Sequence, residues 1–403
     1  MSAFSLEPAQ AAWCAELRAL AVERLRPLAD AGEAGRVNRP LLAALGKLGL
    51  LPRLFTSGAL DLCLMRESLA RTCAEAETAL ALQGLGAYPV RAHGTAAQRA
   101  RWLPRVADGT AAAAFALSEP GAGSDAAALS LRATPDTGAG STGAGAGEVL
   151  DARSDGRSGW RLSGEKCWIS NAPEADFYTV FARTTPGAGA RGVTAFLVPA
   201  DRPGLTGTPL EMLAPHPLGA LTFDEVPVSA DDLLGEPDRG FRVAMGTLNL
   251  FRPSVGAAAV GMAQAALDAT LAHTRARDAF GGKLCDLQTV AHQVAEMSLR
   301  TEAARLMVYA AATAYDTGAP DVPLRAAMAK LLATETAQYV VDRAVQLHGA
   351  RALRRGHLLE HLYREVRAPR VYEGASEVQR EIIAKELYAR RSPTVGAGEA
   401  GGT

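Results

Sequence analysis

The run Phe115-Ala-Leu-Ser-Glu-Pro-Gly-Ala-Gly-Ser-Asp125 puts apolar residues, two serine hydroxyls and three breakers of regular structure into eleven residues. An apolar run ending in Ser118 reads as a buried strand with a hydroxyl delivered at its end. Pro120, Gly121 and Gly123 then interrupt pairing and leave backbone N–H groups free. Glycine lets backbone come close to a ligand, and Ser124 and Asp125 suit a tight turn. Such a stretch can hold a flat ligand with a polar edge, and its residues fit a plain strand-to-turn connection equally well. The other candidate is Glu373, in Val371-Tyr-Glu-Gly-Ala-Ser-Glu-Val-Gln379. Ser376 followed three residues on by Gln379 makes a capping box that starts a last helix. Glu373 therefore falls on the loop entering that helix, with Gly374 giving the backbone freedom. A carboxylate there can face a ligand, or simply stand in solvent at a favourable helix N-terminus.

These residues need elements to hold them, and the chain supplies three kinds of pattern. Helical periodicity marks 5–110, with Trp13, Leu17, Leu20 and Val22 on one face and an Ala/Leu-rich segment from Ala59 to Gln83. From 112 to 235 the runs shorten to β-like segments at 128–133, 159–162, 177–183 and 193–198, separated by Gly, Pro, Asp and Ser. Residues 134–158, mostly Gly, Ala, Thr, Ser and Asp, predict a long surface hairpin loop. Helical spacing returns over 240–275, 286–317, 322–348 and 376–390; Leu287, Val290, Val294 and Met297 share a face, and Gly318 is a stop signal. Four long helices predict a bundle, and Gly256-Ala-Ala-Ala-Val-Gly261 predicts close helix approach or a subunit contact. The expected fold class is α+β. It has a helical N-terminal lobe (1–112), a small middle β-domain (113–235), a C-terminal four-helix bundle (236–391) and a flexible tail (392–403).

Composition narrows the partners. The 403 residues are 48% hydrophobic, enough for two or three lobes with their own cores. Lys and Arg number 42 against 43 acidic residues, so no basic excess points to nucleic acid or to an anionic membrane. Five cysteines are an odd, scattered set without a Cys-x-x-Cys pair, against both a disulfide framework and a zinc site. No Glu-x-x-His motif suggests a di-iron bundle, and no metal is expected. The first ten residues hold no Lys or Arg and do hold Glu7, unlike a targeting peptide, and the apolar runs read as too interrupted to span a bilayer. The expectation is a soluble protein of a reducing cytoplasm.

The 115–125 stretch resembles the flavin-proximal signature of acyl-CoA dehydrogenases, and four further stretches resemble that family in the expected order. They are Gly164-Glu-Lys-Cys-Trp-Ile-Ser-Asn171, Arg277-Asp-Ala-Phe-Gly281 with Gln288, Gln346-Leu-His-Gly349, and Arg364 through Arg380. The resemblance spans roughly residues 10 to 390. It implies the helix–sheet–helix architecture already read from periodicity, and FAD lying between the β-domain and the C-terminal bundle. Oxidising an acyl thioester to its 2,3-enoyl form takes a base for the α-proton and an acceptor for the β-hydride. No side chain accepts a hydride, so a cofactor must. Residues 117–125 lack the spacing and following helix of a nicotinamide-type βαβ fingerprint.

Carried over by resemblance, Phe115, Leu117, Ser118, Gly123 and Ser124 meet the flavin or the thioester end, and Trp168, Ile169 and Ser170 flank the ring. Ser118 and Ser170 offer hydroxyls to the flavin's pyrimidine edge and N5 region. Arg277, Phe280 and Gln288 reach the FAD of a neighbouring subunit, Arg277 at the pyrophosphate, and Gln346, His348 and Gly349 form the adenine side. Ala350 stands where a second Gly is usual. Tyr372-Glu373-Gly374 aligns with the family's base, and the alternative base position is Phe251. Ala375, which replaces the family's Thr, falls with Ser376 and Glu377 on the cofactor side. Ser124, Asn249, Arg252 and Gly374 fall on the substrate side; Asn249 replaces the Asp of some relatives, and Pro215-His-Pro-Leu-Gly219 departs from the usual Gly-x-Arg segment.

The resemblance implies an FAD-dependent acyl-CoA dehydrogenase acting on acyl-CoA or an acyl-carrier thioester. It implies a homo-oligomer, a tetramer, that passes electrons to an electron-transfer flavoprotein. Oxidases and flavin monooxygenases share the fold, and an oxidase would keep the base. A non-catalytic flavin-binding scaffold is the remaining reading.

Overall fold

The computed structural model describes residues 6–136 and 159–390. In the N-terminal part the helices are α1 (Pro8–Leu20), α2 (Arg26–Asp30), α3 (Arg39–Lys47), α4 (Leu50–Thr56), α5 (Ala59–Ala70), α6 (Ala74–His93) and α7 (Ala96–Ala107). Seven strands follow: β1 (Ala113–Ala116), β2 (Arg132–Pro135), β3 (Gly159–Ser170), β4 (Phe177–Arg183), β5 (Val193–Pro199), β6 (Leu205–Leu210) and β7 (Leu218–Ser229). They form one sheet in the order β1-β4-β2-β3-β7-β6, with β5 also pairing β4. The C-terminal part holds α8 (Gly240–Ala276), α9 (Gln288–Asp316), α10 (Val322–His348), α11 (Leu358–Glu365) and α12 (Ser376–Arg390).

Several expectations shift. Val22 is 55% exposed, and the buried face at the start of the chain runs through Cys14, Leu17, Ala21 and Leu25, which are three or four residues apart on one helix face, whereas Val22, five residues from Leu17, falls off that face. The expected strand at 128–133 is a short 3-10 turn at Ala126–Ala128 followed by β2, which takes in residues 134 and 135. The rest of the expected hairpin loop, from 137 to 158, and the expected tail lie outside the described residues.

Helix α8 organises the C-terminal part. By length and composition it could cross a membrane, contrary to the reading of interrupted apolar runs, yet 72% of its apolar window is buried inside the protein, as in a core helix. Its glycines explain how closely neighbours approach. A Cβ at Gly261 would sit 2.3 Å from the Glu67 carbonyl oxygen on α5, and one at Gly256 would sit 2.9 Å from Val308 Cγ2 on α9.

Candidate active site

Strand β1 pairs in parallel with β4, Phe115 opposite Thr179, and its chain continues into the Ser118–Ser124 turn. Glu119 and Ala122 exchange backbone hydrogen bonds of 3.1 Å across that turn. Gly121 and Gly123 have no positive φ, and a Cβ on either would meet nothing within 4 Å. Neither packing nor backbone conformation within the chain demands glycine there. Open backbone of this kind suits a ligand lying against it.

Strand β3 closes on the same turn. Its register with β7 shifts between Lys166 and Ile169, a bulge at which Trp168 takes φ +57°. Cys167 N–H there donates to the Ser118 carbonyl at 3.0 Å. Trp168 is 47% exposed while Ile169 is buried, so the bulge turns the indole out of the core rather than into it. A non-glycine residue in this conformation costs about 1–3 kcal/mol, a strain found preferentially at functional positions. Phe115, Leu117, Ser118, Trp168, Ile169 and Ser170 are thus brought into one hydrogen-bonded neighbourhood.

What fixes that neighbourhood is a pair that sequence reading missed. Lys166 Nζ, fully buried, donates to the Leu117 carbonyl at 2.9 Å and to Glu119 Oε1 at 2.8 Å. Glu119 also accepts from the Ser130 and Leu131 N–H groups and from Ser130 Oγ. Burial pushes the Glu119 pKa up, but the Lys166 ammonium and these hydrogen bonds outweigh it and hold the carboxyl below its ordinary range.

The Glu373 loop is built from outside. Glu373 takes φ +51° and Gly374 φ +96°. Their carbonyls accept hydrogen bonds from three side chains on different elements: Arg252 Nε of α8 on Glu373 (3.1 Å), Lys330 Nζ of α10 on Gly374 (2.7 Å), and Gln379 Nε2 of α12 on both (3.3 and 3.0 Å). The expected capping box does not form. Ser376 sends its hydroxyl to Glu335 Oε1 (2.5 Å), and the Gln379 side chain turns back to the loop carbonyls. Ala375 is half-buried beside it and Glu377 is exposed.

Glu373 Oε2 is enclosed and has no hydrogen-bond partner among the described residues. Burial pushes its carboxyl pKa above the ordinary range, with Arg66, Lys330 and Arg252 pulling the other way. Arg66 is itself buried and ties Glu77 (2.5 Å) to Ser254 (2.7 Å). Asn249 Oδ1 lies 3.5 Å from Arg252 Nη1, at the limit of a hydrogen bond. Phe251 is buried against Tyr88 and carries no carboxylate to compete with Glu373. Helix α8 joins the two halves of the site, for Leu248 packs in the cluster that contains Leu117 and Arg252, one turn on, holds Glu373.

The Arg277 group lies elsewhere. Arg277, Gln346, His348 and Gly349 line a pocket of about 450 Å³ together with His273, Ala350 and Arg351; none of its lining residues comes from 115–170. His273 stacks on His348 with ring centroids 4.2 Å apart. Phe280, at φ +55° and 91% exposed, and the exposed Gln288 do not line it. Arg252 and Arg277 are separated along α8 by 25 positions, roughly 37 Å of helix. That span is too long for one compact ligand bound within one chain to touch both ends.

The enclosed Glu373 Oε2, without a hydrogen-bond partner among the described residues, can take a proton, the role a base plays in an oxidoreductase whose bound cofactor takes the hydride. The N-terminal, middle and C-terminal domain families of the acyl-CoA dehydrogenases match residues 7–110, 114–226 and 238–388. The probable acyl-CoA dehydrogenase FadE25 of Mycobacterium tuberculosis is 35% identical over 382 residues, 92% of this chain and 93% of its own. The butyryl-CoA dehydrogenase structure from Megasphaera elsdenii superposes with a TM-score of 0.85 at 30% identity, covering 96% of this chain and 99% of that one. The structure of PigA with FAD and proline gives 0.85 at 26% identity, with the same coverage. The chain belongs to the acyl-CoA dehydrogenase family.

Proposed function

We propose that the protein is an FAD-dependent acyl-CoA dehydrogenase that converts an acyl thioester to its 2,3-enoyl thioester and passes the electrons to an electron-transfer flavoprotein. The observation that carries this reading is the enclosed, unpaired Glu373 Oε2, an acceptor placed for the α-proton of a bound thioester. FAD held there would supply the acceptor for the β-hydride. The open turn at Gly121–Ser124 would give the isoalloxazine room, the exposed Trp168 indole would flank it, Ile169, whose side chain is buried in the sheet's core, would meet it only through its backbone, and the Ser118 and Ser170 hydroxyls would serve its polar edge. In this reading Arg252 and Gly374 meet the thioester, and Ser124 and Asn249 meet its carrier, coenzyme A or an acyl-carrier pantetheine. Five free cysteines, three of them buried, suit a reducing cytoplasm.

Our reading is an oligomer, a tetramer, in which Arg277, Gln346, His348 and Gly349 serve the pyrophosphate and adenine of a neighbour's FAD; the separation of Arg277 from Arg252 along the chain supports it. Phe280 and Leu299, both strongly exposed in the single chain, fit the interfaces this needs. The protein is expected to purify with FAD rather than FMN, and Arg277→Ala to lower FAD occupancy, read from the flavin absorbance per chain. Mixed oligomers of Arg277→Ala chains with chains altered at Ser118 should recover intact sites; no recovery would place the whole site within one chain.

The electron acceptor has its own test. After anaerobic reduction by substrate, the flavin is expected to reoxidise slowly in air and rapidly with an electron-transfer flavoprotein in stopped flow. Fast reoxidation by air would make the protein an oxidase of the same fold.

A further inference from the structure

Lys330 is an isolated cation in the Ala-rich middle of α10, buried with no solvent contact, and its ammonium donates to the Gly374 carbonyl at 2.7 Å. An ammonium taken out of water and bonded to one neutral carbonyl is a poor bargain for stability alone. The preceding residue, Glu373, is half-buried, and its Oε2 is enclosed without a hydrogen-bond partner among the described residues. The charged groups that act on Lys330 are Glu373, Arg252, Glu335 and Glu377. Arg252 and Glu335 have partners of their own, in the Glu373 carbonyl and in Arg370 and Ser376. Glu377 is exposed at the start of α12. That leaves Glu373 as the carboxylate Lys330 faces; Glu373 is also faced by Arg66 and Arg252, which favour its charge as Lys330 does, and by Glu77, which opposes it. Burial draws Lys330 down to about 8, with Glu373 resisting, so it stays cationic through neutral pH.

We propose that Lys330 is a positioning residue for the reaction: by holding the Gly374 carbonyl it fixes the left-handed Glu373–Gly374 turn, and by its charge it helps hold the half-buried Glu373 carboxylate in its ionised form, ready to take a proton. Nothing in the loop itself could do both. The Gln379 amide shares the Gly374 carbonyl without charge, and Arg252 reaches the carbonyl one residue earlier. The inference rests on Glu373 acting as the base.

The test compares Lys330→Gln, which removes the charge and keeps a donor, with Lys330→Met, which removes both, and with Lys330→Arg. For each, FAD content, acyl-thioester binding by flavin spectral perturbation, and the rate of flavin reduction against pH are measured. In Lys330→Gln the acid limb of the reduction profile should move up by roughly one pH unit, the size of effect a nearby opposite charge exerts on a carboxylate. FAD content and thioester binding should stay close to wild type. Lys330→Met should add a fall of roughly 10-fold or more in limiting rate through misplacement of the base, and Lys330→Arg should restore the acid limb. An unmoved acid limb in an FAD-replete Lys330→Gln enzyme would overturn the proposal. So would a Gln variant that loses FAD or fold, since Lys330 would then be structural. Glu373→Gln separates the two levels. If it still bleaches with substrate, the base assignment itself fails; if it does not bleach while the Lys330→Gln limb stays put, only the Lys330 role fails.

Discussion

Glu373→Gln is expected to stay folded and yellow, to bind an acyl thioester with a perturbed flavin spectrum, and to lose flavin reduction by substrate by roughly 10² to 10⁴-fold. The glutamine keeps the side-chain shape and leaves the loop untouched, because the loop is held through the carbonyls of Glu373 and Gly374 and not through the carboxylate. Reduction by dithionite, which needs no base, should be unchanged. Near-normal bleaching by substrate would remove Glu373 from the mechanism. A colourless variant would mean that the carboxylate supports the cofactor instead.

The raised Glu373 pKa adds a sign that can be checked. The folded-state value lies above the ordinary 4.5, so between the two the folded chain binds more protons than the unfolded one. Stability therefore falls as pH rises through that window, and ionised Glu373 is a burden on the fold at neutral pH. Glu373→Gln mimics the protonated form and should melt no lower than wild type at pH 7. Wild-type flavin reduction should be lost as pH falls through the raised value, giving an acid limb above the ordinary carboxylate range.

The largest loss of stability is expected from Glu119→Ala, about 3–5 kcal/mol, the usual result of stripping one partner from a buried ion pair. The Lys166 ammonium would be left fully buried with only the Leu117 carbonyl as partner, and the Ser130 and Leu131 N–H groups would lose their acceptor. A lower urea midpoint with unchanged slope is the measurement. Adding Lys166→Met should recover a large part of the loss, since the uncompensated charge then disappears; an additive double mutant would show that the pair is not coupled. Because Glu119 is held below its ordinary pKa, its contribution is present in full above the ordinary value of 4.5 and is lost as pH falls through the lowered one. FAD occupancy should drop with Glu119→Ala as well, for the pair fixes the turn that we propose receives the flavin.

The parts of this architecture that repeat locally were legible in the sequence. Period and stop signals find α8, α9, α10 and α12 to within a few residues, and the placing of Glu373 on a loop follows from Gly374 and the residues after it. Side-chain partnerships across long separations were not. Glu119 and Lys166 are 47 residues apart, and Lys330 meets Gly374 across 44 residues. In a one-dimensional pattern Lys166 is a charge in a strand and Lys330 a charge in a helix, both of which read as solvent-facing. Only the pairing of β3 with β7 and the packing of α10 under the last loop turn them inward. Ser376 and Gln379 show a subtler limit: their spacing fits a capping box, but Glu335 on α10 takes the serine first.

The way the Glu373 loop is held bears on how such a chain can change over generations. Its unusual backbone is imposed by Arg252, Lys330 and Gln379 through main-chain oxygens, atoms that every amino acid carries. The codon at 373 therefore carries little of the responsibility for the shape around it beyond tolerating a left-handed backbone, and a single nucleotide change that removes the acid is expected to leave a scaffold that still folds. Loss and recovery of activity in a duplicated copy need cross only one step. Changes at 252, 330 or 379 would be far harder to retrace, because each alters the mould as well as what is cast in it.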